Sequence, residues 1–383
     1  MNRILLKNQY NNRKTKLFQS HTIRALFCIL MFGIFYTHLL ANPFESKRKY
    51  LNQIPIKSQH KKPVITIISD NEFTELTDFL VPYGILKRAD ISELYALAPE
   101  RGKVQLFPAL AVEVDTSFAI FDKEHPEGAD IVIVPALHNS QNPTIINWLK
   151  KQNEMGATFI GICDGVWTLA YSGLLDKREA TGHWYAKDKL IKTFPNTNWT
   201  KNKRYVHDDR IITTSGVTAS IPISLALIDT LAGKKKANET AILYGVESWD
   251  PNHNSDRFEF NWNHYFLATK NYLSFWNHEI IGIPIDEGMD EVSLALVADA
   301  YARTYRTKVS SIAVQTKQVK LKSGISIYPD RTNSQNDGIN VKVSIPNDRK
   351  SFPLLKETLD IIQKRYGETT MEFVSLQMEF PIP

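Results

Sequence analysis

Cysteine is almost missing from this chain. There are two, Cys28 and Cys163. Cys28 falls in an apolar N-terminal run, so no disulfide framework is available. Acid is nearly missing from the start: residues 1–49 hold nine Lys/Arg against Glu45 alone, +8 within a chain total of +5, which leaves −3 for the rest. The basic balance belongs to the N-terminus and makes no global electrostatic case for nucleic-acid binding. Internal repeats and low-complexity tracts are also missing. What remains, 383 residues with 43% hydrophobic and 23% charged side chains, is the composition of a globular protein with room for one large or two ordinary domains.

The apolar run at residues 25–36 (ALFCILMFGIFY) is twelve residues long and follows six Lys/Arg with no acid. It is shorter than the roughly 20 residues of a membrane span and fits the hydrophobic region of a secretory signal ending near Ala41. Leu39 is unfavourable at a cleavage site, and adding residues 37–41 gives a marginal span. A cleaved signal peptide and an uncleaved signal anchor over 1–41 both stay open, so the chain is expected to be exported, to the periplasm or beyond, or anchored. Membrane contact is expected only through this segment. Residues 42–62 read as a polar linker.

From residue 63, apolar strand-like runs alternate with helical stretches. Residues 64–68 read as a buried strand, 72–88 as a helix, 94–98 and 130–135 as strands, and 143–155 as a helix. A further strand, a turn and a helix to about Leu175 follow. This alternation predicts an α/β fold with a doubly wound, mostly parallel sheet over 63–236. Short strands are expected within 178–184 and 205–215, then a helix over 217–232, with Lys234 to Lys236 as its solvated end. Residues 237–287 are an aromatic-rich connecting segment, including Trp249, Trp262 and Trp276, and read as core. His253, His264 and His278 there lack metal-ligand spacing. Residues 288–383 read as an α+β extension: a helix at 290–304, strands over 308–346, a helix at 353–366 and a strand at 371–380.

Gly161-Ile162-Cys163-Asp164-Gly165 joins the strand ending at Ile160 to the helix beginning at Val166. A Gly-x-nucleophile-x-Gly pattern at a strand-to-helix turn is a nucleophile elbow, whose glycines give the turn room. A thiol there sits at a helix N-terminus, where the partial positive charge favours thiolate. A small buried core cysteine is the alternative. By the elbow geometry, the Asp164 backbone N–H supplies one oxyanion donor.

With Ser172-Gly-Leu-Leu-Asp176, Ala180-Thr-Gly-His-Trp184 and Thr214-Ser-Gly-Val217, this stretch resembles the ThiJ/PfpI superfamily over about 63–233. That superfamily has the flavodoxin-like, class I glutamine amidotransferase-like fold. The likeness is nearest to the branch of isocyanide hydratases and the sensor domains of GlxA-like AraC-type regulators, without a helix-turn-helix after residue 288. It implies Cys163 as nucleophile, Asp78 as the acid that contacts the thiol (Glu75 or Glu72 if the alignment shifts), and His183 near the site. Gly161, Gly165, His138 and Trp184 become pocket candidates. Pro135-Ala136-Leu137-His138 replaces the family's Gly-Gly, Asp164 replaces the His that follows Cys in protease-like members, and Pro222 stands where the regulators carry Asp. The resemblance implies a small-molecule substrate or ligand and a homodimer as in many relatives; the charge balance and the missing helix-turn-helix argue against nucleic acid, the histidine spacing argues against a metal, and no cofactor is expected. A cysteine-dependent hydrolase, hydratase or lyase, a ligand or redox sensor, and a chaperone or damage-response protein are the functions it leaves open.

Overall fold

A computed structural model of the chain describes residues 50–315, 317–335 and 338–381, so the expected leader lies outside the described residues, as do 42–49 of the linker. The described residues fall in one compact unit, Lys49–Pro383. Among them no helix is long and apolar enough to cross a membrane.

The first half of this unit runs β1 (Val64–Ile68), β2 (Glu72–Glu75), α1 (Leu76–Ala89), β3 (Glu93–Ala98), β4 (Gly102–Phe107), β5 (Ala111–Val114), β6 (Thr116–Ser117), α2 (Phe118–Glu124), β7 (Ile131–Val134), α3 (Pro143–Glu154), β8 (Thr158–Gly161) and α4 (Gly165–Tyr171). After the short strands β9 (Glu179–Ala180) and β10 (Asn198–Trp199), with α5 (Lys187–Thr193) between them, come β11 (Tyr205–Asp208), β12 (Ile211–Thr214) and α6 (Ser220–Ala232). Seven strands pair in the order β11-β12-β8-β7-β1-β3-β6. All are parallel except β11, which runs antiparallel to β12 at one edge. Strands β1, β7 and β8 are buried on both faces, as a sheet covered by helices on both sides requires. The order β3-β1-β7-β8-β12 is the flavodoxin-like 2-1-3-4-5 arrangement, in which ligands bind beyond the carboxyl ends of the strands. Cys163 falls two residues past the end of β8.

The local deviations from expectation have physical causes. The helix expected over 72–88 starts only at Leu76, because residues 72–75 pair with β4 and Glu75 caps the helix. Strands β4 and β5 were not anticipated; they form a hairpin-like antiparallel pair outside the main sheet. Trp184 opens a 3-10 turn rather than ending a strand. Lys234 to Lys236 are not the frayed end of α6. Gly233, at φ 86°, redirects the chain, and the lysines begin α7 (Lys234–Tyr244). The linker residues 50–62 form no helix or strand, yet Leu51 and Ile54 are buried.

The second half carries α8 (Trp262–Leu273), β13 (Glu279–Pro284), α9 (Glu291–Ala302), β14 (Thr307–Ala313), β15 (Val319–Lys320), β16 (Ser326–Ile327), β17 (Arg331–Thr332), β18 (Val341–Lys342), α10 (Ser351–Tyr366) and α11 (Glu368–Met378). Strands β17-β14-β13-β18 make a second, all-parallel sheet, with α9 as the β13–β14 crossover. The strand expected at 371–380 is helix α11. Its buried residues include Thr370, Phe373, Val374 and Met378, at the three-and-four spacing of a helix rather than alternating, with Ser375 and Leu376 buried beside them. The tail is also tied back into the first half: β16 pairs with β5, and α9 packs on α1.

That last contact depends on Gly84. A Cβ there would lie 2.6 Å from the Glu291 Oε1 and 2.8 Å from the Val292 Cγ2, so α9 approaches as closely as it does because α1 has no side chain at this point. Gly84→Ala is expected to cost about 1–3 kcal/mol, the usual penalty of overpacking, in urea denaturation. Unchanged stability would show that the helices are not held at this distance.

Candidate functional site

Cys163 stands at the bend between β8 and α4 with φ 52°, a left-handed conformation that costs a non-glycine residue free energy and is common at functional sites. The bend is held from both sides. The Ile162 N–H donates to the Val134 carbonyl at 2.9 Å, and the Cys163 N–H donates to Thr214 Oγ1 at 3.2 Å. Gly165 is obligatory here, since a Cβ would sit 2.0 Å from the Val134 carbonyl oxygen. Gly161 packs against Leu169 and, like Gly165, does not line the cavity. The elbow expected from the sequence is therefore present as geometry.

The thiol faces a cavity of about 550 Å³. Its floor includes Cys163, Asp164, Glu75 and His138 from the first half, and its walls include Phe260, Tyr265, Arg303, Tyr305, Phe373 and Gln377 from the second. The aromatic segment expected to be core is thus divided. Trp249 and Phe258 are buried, Phe260 and Tyr265 line the cavity, and Trp262, Phe266 and Trp276 are exposed.

Asp78 is fully buried one layer below the cavity wall. Its Oδ2 accepts the Ala136 N–H at 3.1 Å, and its Oδ1 has no hydrogen-bond partner. Burial, reinforced by the nearby Glu75 charge, pushes the Asp78 carboxyl well above the usual carboxylate range, so its neutral acid form is favoured. Glu75 caps α1: its Oε2 accepts the Asp78 N–H at 2.6 Å, and Thr77 Oγ1 donates to the same carboxylate. Of the three acids considered, Asp78 and Glu75 are both at the site, whereas Glu72 is exposed on β2.

Arg303 completes this layer. Its Nη2 donates to Glu75 Oε1 at 2.7 Å and its Nε donates to Asp299 Oδ2 at 2.7 Å. The two carboxylates hold its guanidinium firmly charged, above its ordinary range. Burial pushes Asp299 up to about 7 despite that partner. The reading of the sequence missed Arg303. The signal available was Asp299-x-x-x-Arg303, an ion pair one turn apart at the end of an otherwise apolar helix.

These charges overturn the expected activation of the thiol. Burial pushes the Cys163 thiol well above its ordinary value, and Asp78, Asp164 and Glu75 add to the shift while Arg303 alone opposes it. Helix α4 is only seven residues long, and the partial charge of its N-terminus is outweighed by desolvation and three acids.

The other expected residues are distributed as follows. The Asp164 N–H lies at the N-cap of α4, among the amides a helix start leaves without intrahelical partners; the Asp164 Oδ1 is buried without a partner. The Ala136 N–H, nearest in sequence to the family's missing Gly-Gly donor, is committed to Asp78. His138 lines the cavity beside Phe73. His183 also lines it, but its Nδ1 accepts the Tyr185 N–H at 3.3 Å and its Nε2 reaches the Gln377 carbonyl at 3.3 Å, so both nitrogens serve structure. Trp184 does not line the cavity; its indole donates to the Leu376 carbonyl. His253 pairs with Glu379, His264 caps α8, and His278 bonds the Asn271 carbonyl, so these three do not converge.

Among the described residues, His60, His125 and Glu127 form one group whose ligand atoms could converge on a metal ion. His60 already bonds Glu127 at 2.9 Å and Asp130 at 2.6 Å, and Asp130 also accepts the N–H groups of Lys57 and Val64. This network pins residues 57–64 to the sheet at the starts of β1 and β7, at the opposite strand ends from Cys163.

The DJ-1/PfpI family model matches residues 63–230. The chain is 32% identical over 152 residues to the HTH-type transcriptional regulator CdhR of Pseudomonas aeruginosa, covering 39% of this chain and 44% of that one. It is 26% identical over 179 residues to the HTH-type transcriptional regulator GlxA of Rhizobium meliloti, covering 45% and 52%. The chain thus spans about half the length of these two regulators. It is also 24% identical over 172 residues to the protein dj-1beta of Drosophila melanogaster, covering 44% of this chain and 89% of that one. The crystal structure of that Drosophila protein superposes with a TM-score of 0.44 at 22% identity, covering 48% of this chain and 98% of the other. Residues 63–230 of this chain are a DJ-1/PfpI family domain.

Proposed function

We propose that Cys163 is a nucleophile toward a small, uncharged electrophile, in a cysteine-dependent hydrolase, hydratase or lyase carried by an exported or membrane-anchored chain. The supporting observation is the strained Cys163 lining the cavity, near the buried Asp78 carboxyl whose acid form burial favours. Glu75 and Asp299 hold the guanidinium of Arg303, and Asp164 also lines the cavity, so an anionic substrate is disfavoured. In the step this geometry supports, the sulfur bonds the electrophilic carbon of a carbonyl, nitrile or isocyanide. Asp78 gives its proton to the substrate and receives the thiol's proton in return. The Asp164 N–H steadies negative charge on an oxyanion. With a nitrile or isocyanide, water then adds at the thioimidate carbon and the C–S bond breaks, releasing an amide or formamide and the thiol; an acyl carbonyl first expels its leaving group, which carries off the proton from Asp78, and water then cleaves the thioester.

A second reading, a ligand sensor without turnover, is favoured by the commitment of the Ala136 amide to Asp78 and by the raised thiol. Two relatives are named as transcriptional regulators, which accords with it. A redox variant of that reading uses oxidation of Cys163.

Cys163→Ala is expected to abolish turnover of a panel of small nitriles, isocyanides and carbonyl compounds while the thermal melt is preserved. A wild-type protein that turns over none of them, yet melts higher with one of them bound, would replace the enzyme by the sensor.

The thiol is expected to alkylate with iodoacetamide at a pH midpoint above that of an ordinary cysteine. Once ionised, Asp78 opposes the thiolate, so Asp78→Asn should lower this midpoint. A midpoint that stays put or rises would remove Asp78 from contact with the sulfur's field.

Arg303→Met leaves two buried carboxylates without their cation. It is expected to lose about 3–5 kcal/mol of stability in chemical denaturation. A loss under about 1 kcal/mol, the scale of an exposed pair, would show the network to be solvated.

A further inference from the structure

Helix α8 is amphipathic in the wrong sense for a helix of a water-soluble domain. Its buried residues are His264 and Asn271, and Asn271 Nδ2 donates to the Thr304 carbonyl at 2.9 Å. Its outer face carries Trp262, Tyr265, Phe266, Tyr272 and Leu273, at the three-and-four spacing of one helical stripe. The 3-10 turn Phe275–Asn277 continues the stripe with Phe275 and Trp276. Trp262, Phe266, Tyr272, Phe275 and Trp276 are each 70–87% exposed. Isolated exposed apolar residues are ordinary, but a contiguous aromatic patch of this kind marks an interaction surface.

The composition of the patch indicates its occupant. Residues 260–278 contain no acid and a single lysine, Lys270. Tryptophan and tyrosine with few charges are the side chains that settle at the headgroup level of a bilayer, where an apolar ring and a polar tip are both satisfied. Residues 25–36 are a second feature directed toward a membrane. We propose that the α8 stripe seats the protein on a lipid bilayer at headgroup depth. Tyr265 and Ala268 of the same helix line the cavity, so its mouth then lies beside the lipid, and a small apolar molecule dissolved in the membrane has a short path to the cavity. Attraction to anionic lipid is not the driving force, since the chain beyond residue 49 carries net negative charge. The seating does not depend on what Cys163 does.

The full chain is tested with phosphatidylcholine vesicles, with and without bromine on the acyl chains near the headgroup. Residues 1–49 contain no tryptophan, and of the seven in the chain only Trp262 and Trp276 belong to the stripe. Bromine quenching therefore reports α8 and not the N-terminal run. Quenching of that share of the emission, unchanged by added salt and abolished in the triple variant Phe266→Ser, Tyr272→Ser, Phe275→Ser with an unchanged melting temperature, is the expected result. Vesicle binding without quenching by the wild type overturns the proposal and leaves only the N-terminal run at the membrane. A wild type that does not bind vesicles, but sediments as a dimer which the triple variant dissociates, overturns it in favour of a second copy of the chain.

Discussion

The arrangement turns on the guanidinium of Arg303, which bridges Asp299 on its own helix to Glu75 at the start of α1. Removing three charged groups from water is costly, and that cost is offset only if each retains a well-placed partner. Both contacts are 2.7 Å. Glu75 spends its other oxygen on the Asp78 amide, so the ion pair orients the turn of helix that carries Asp78. The second half of the chain is thereby built into the site as a structural member. It supplies the cation that offsets the Glu75 carboxylate near Cys163, and it supplies a wall of the cavity.

Close approach makes the bridge possible. Gly84 lets α9 settle on α1, and β16 extends the small sheet through β5. At the far end of the chain Glu379 is buried, pairs with His253 and accepts the Gly216 N–H beyond β12. Three separate parts of the tail thus contact three segments of the first half: α1, the β4–β5 pair and the turn after β12, the last two of which bring Phe107 and Val217 to the cavity. A domain of this family with its sheet complete but its tail absent would leave Glu75 without a cation and the cavity without Phe373, Tyr305 and Gln377.

Much of the first half is legible in the sequence because its signals are local. The β-branched runs of β1, β7 and β8 are continuous, the elbow has its two glycines, and Asp78 sits one turn into the helix after the first strands. Only the local half of Arg303 was legible, its ion pair with Asp299 one turn away; its meaning comes from Glu75, 228 positions away, and no short-range pattern encodes that distance. Helix α11 was misread because Met371 to Phe380 alternates loosely enough to resemble a strand; only packing decides which residues are buried. The aromatic segment was misread for a related reason. Hydrophobicity indicates that a residue avoids water, but not whether the domain's own core or an external surface removes it from water.

The same limit explains the misjudged thiol. An elbow at a helix start suggests thiolate, because the helix end is visible in the sequence and the carboxyl groups around it are not. In the folded chain the sulfur is desolvated and has three acids near it against one cation that two carboxylates already hold, so the uncharged thiol is favoured. A neutral thiol near a neutral carboxyl group is poorly suited to attack as a free anion. It is suited to moving its proton in the same event in which sulfur bonds carbon, since that path never places a full charge in the buried layer. For the covalent chemistry proposed above, these surroundings therefore favour proton transfer together with attack over ionisation of Cys163 beforehand.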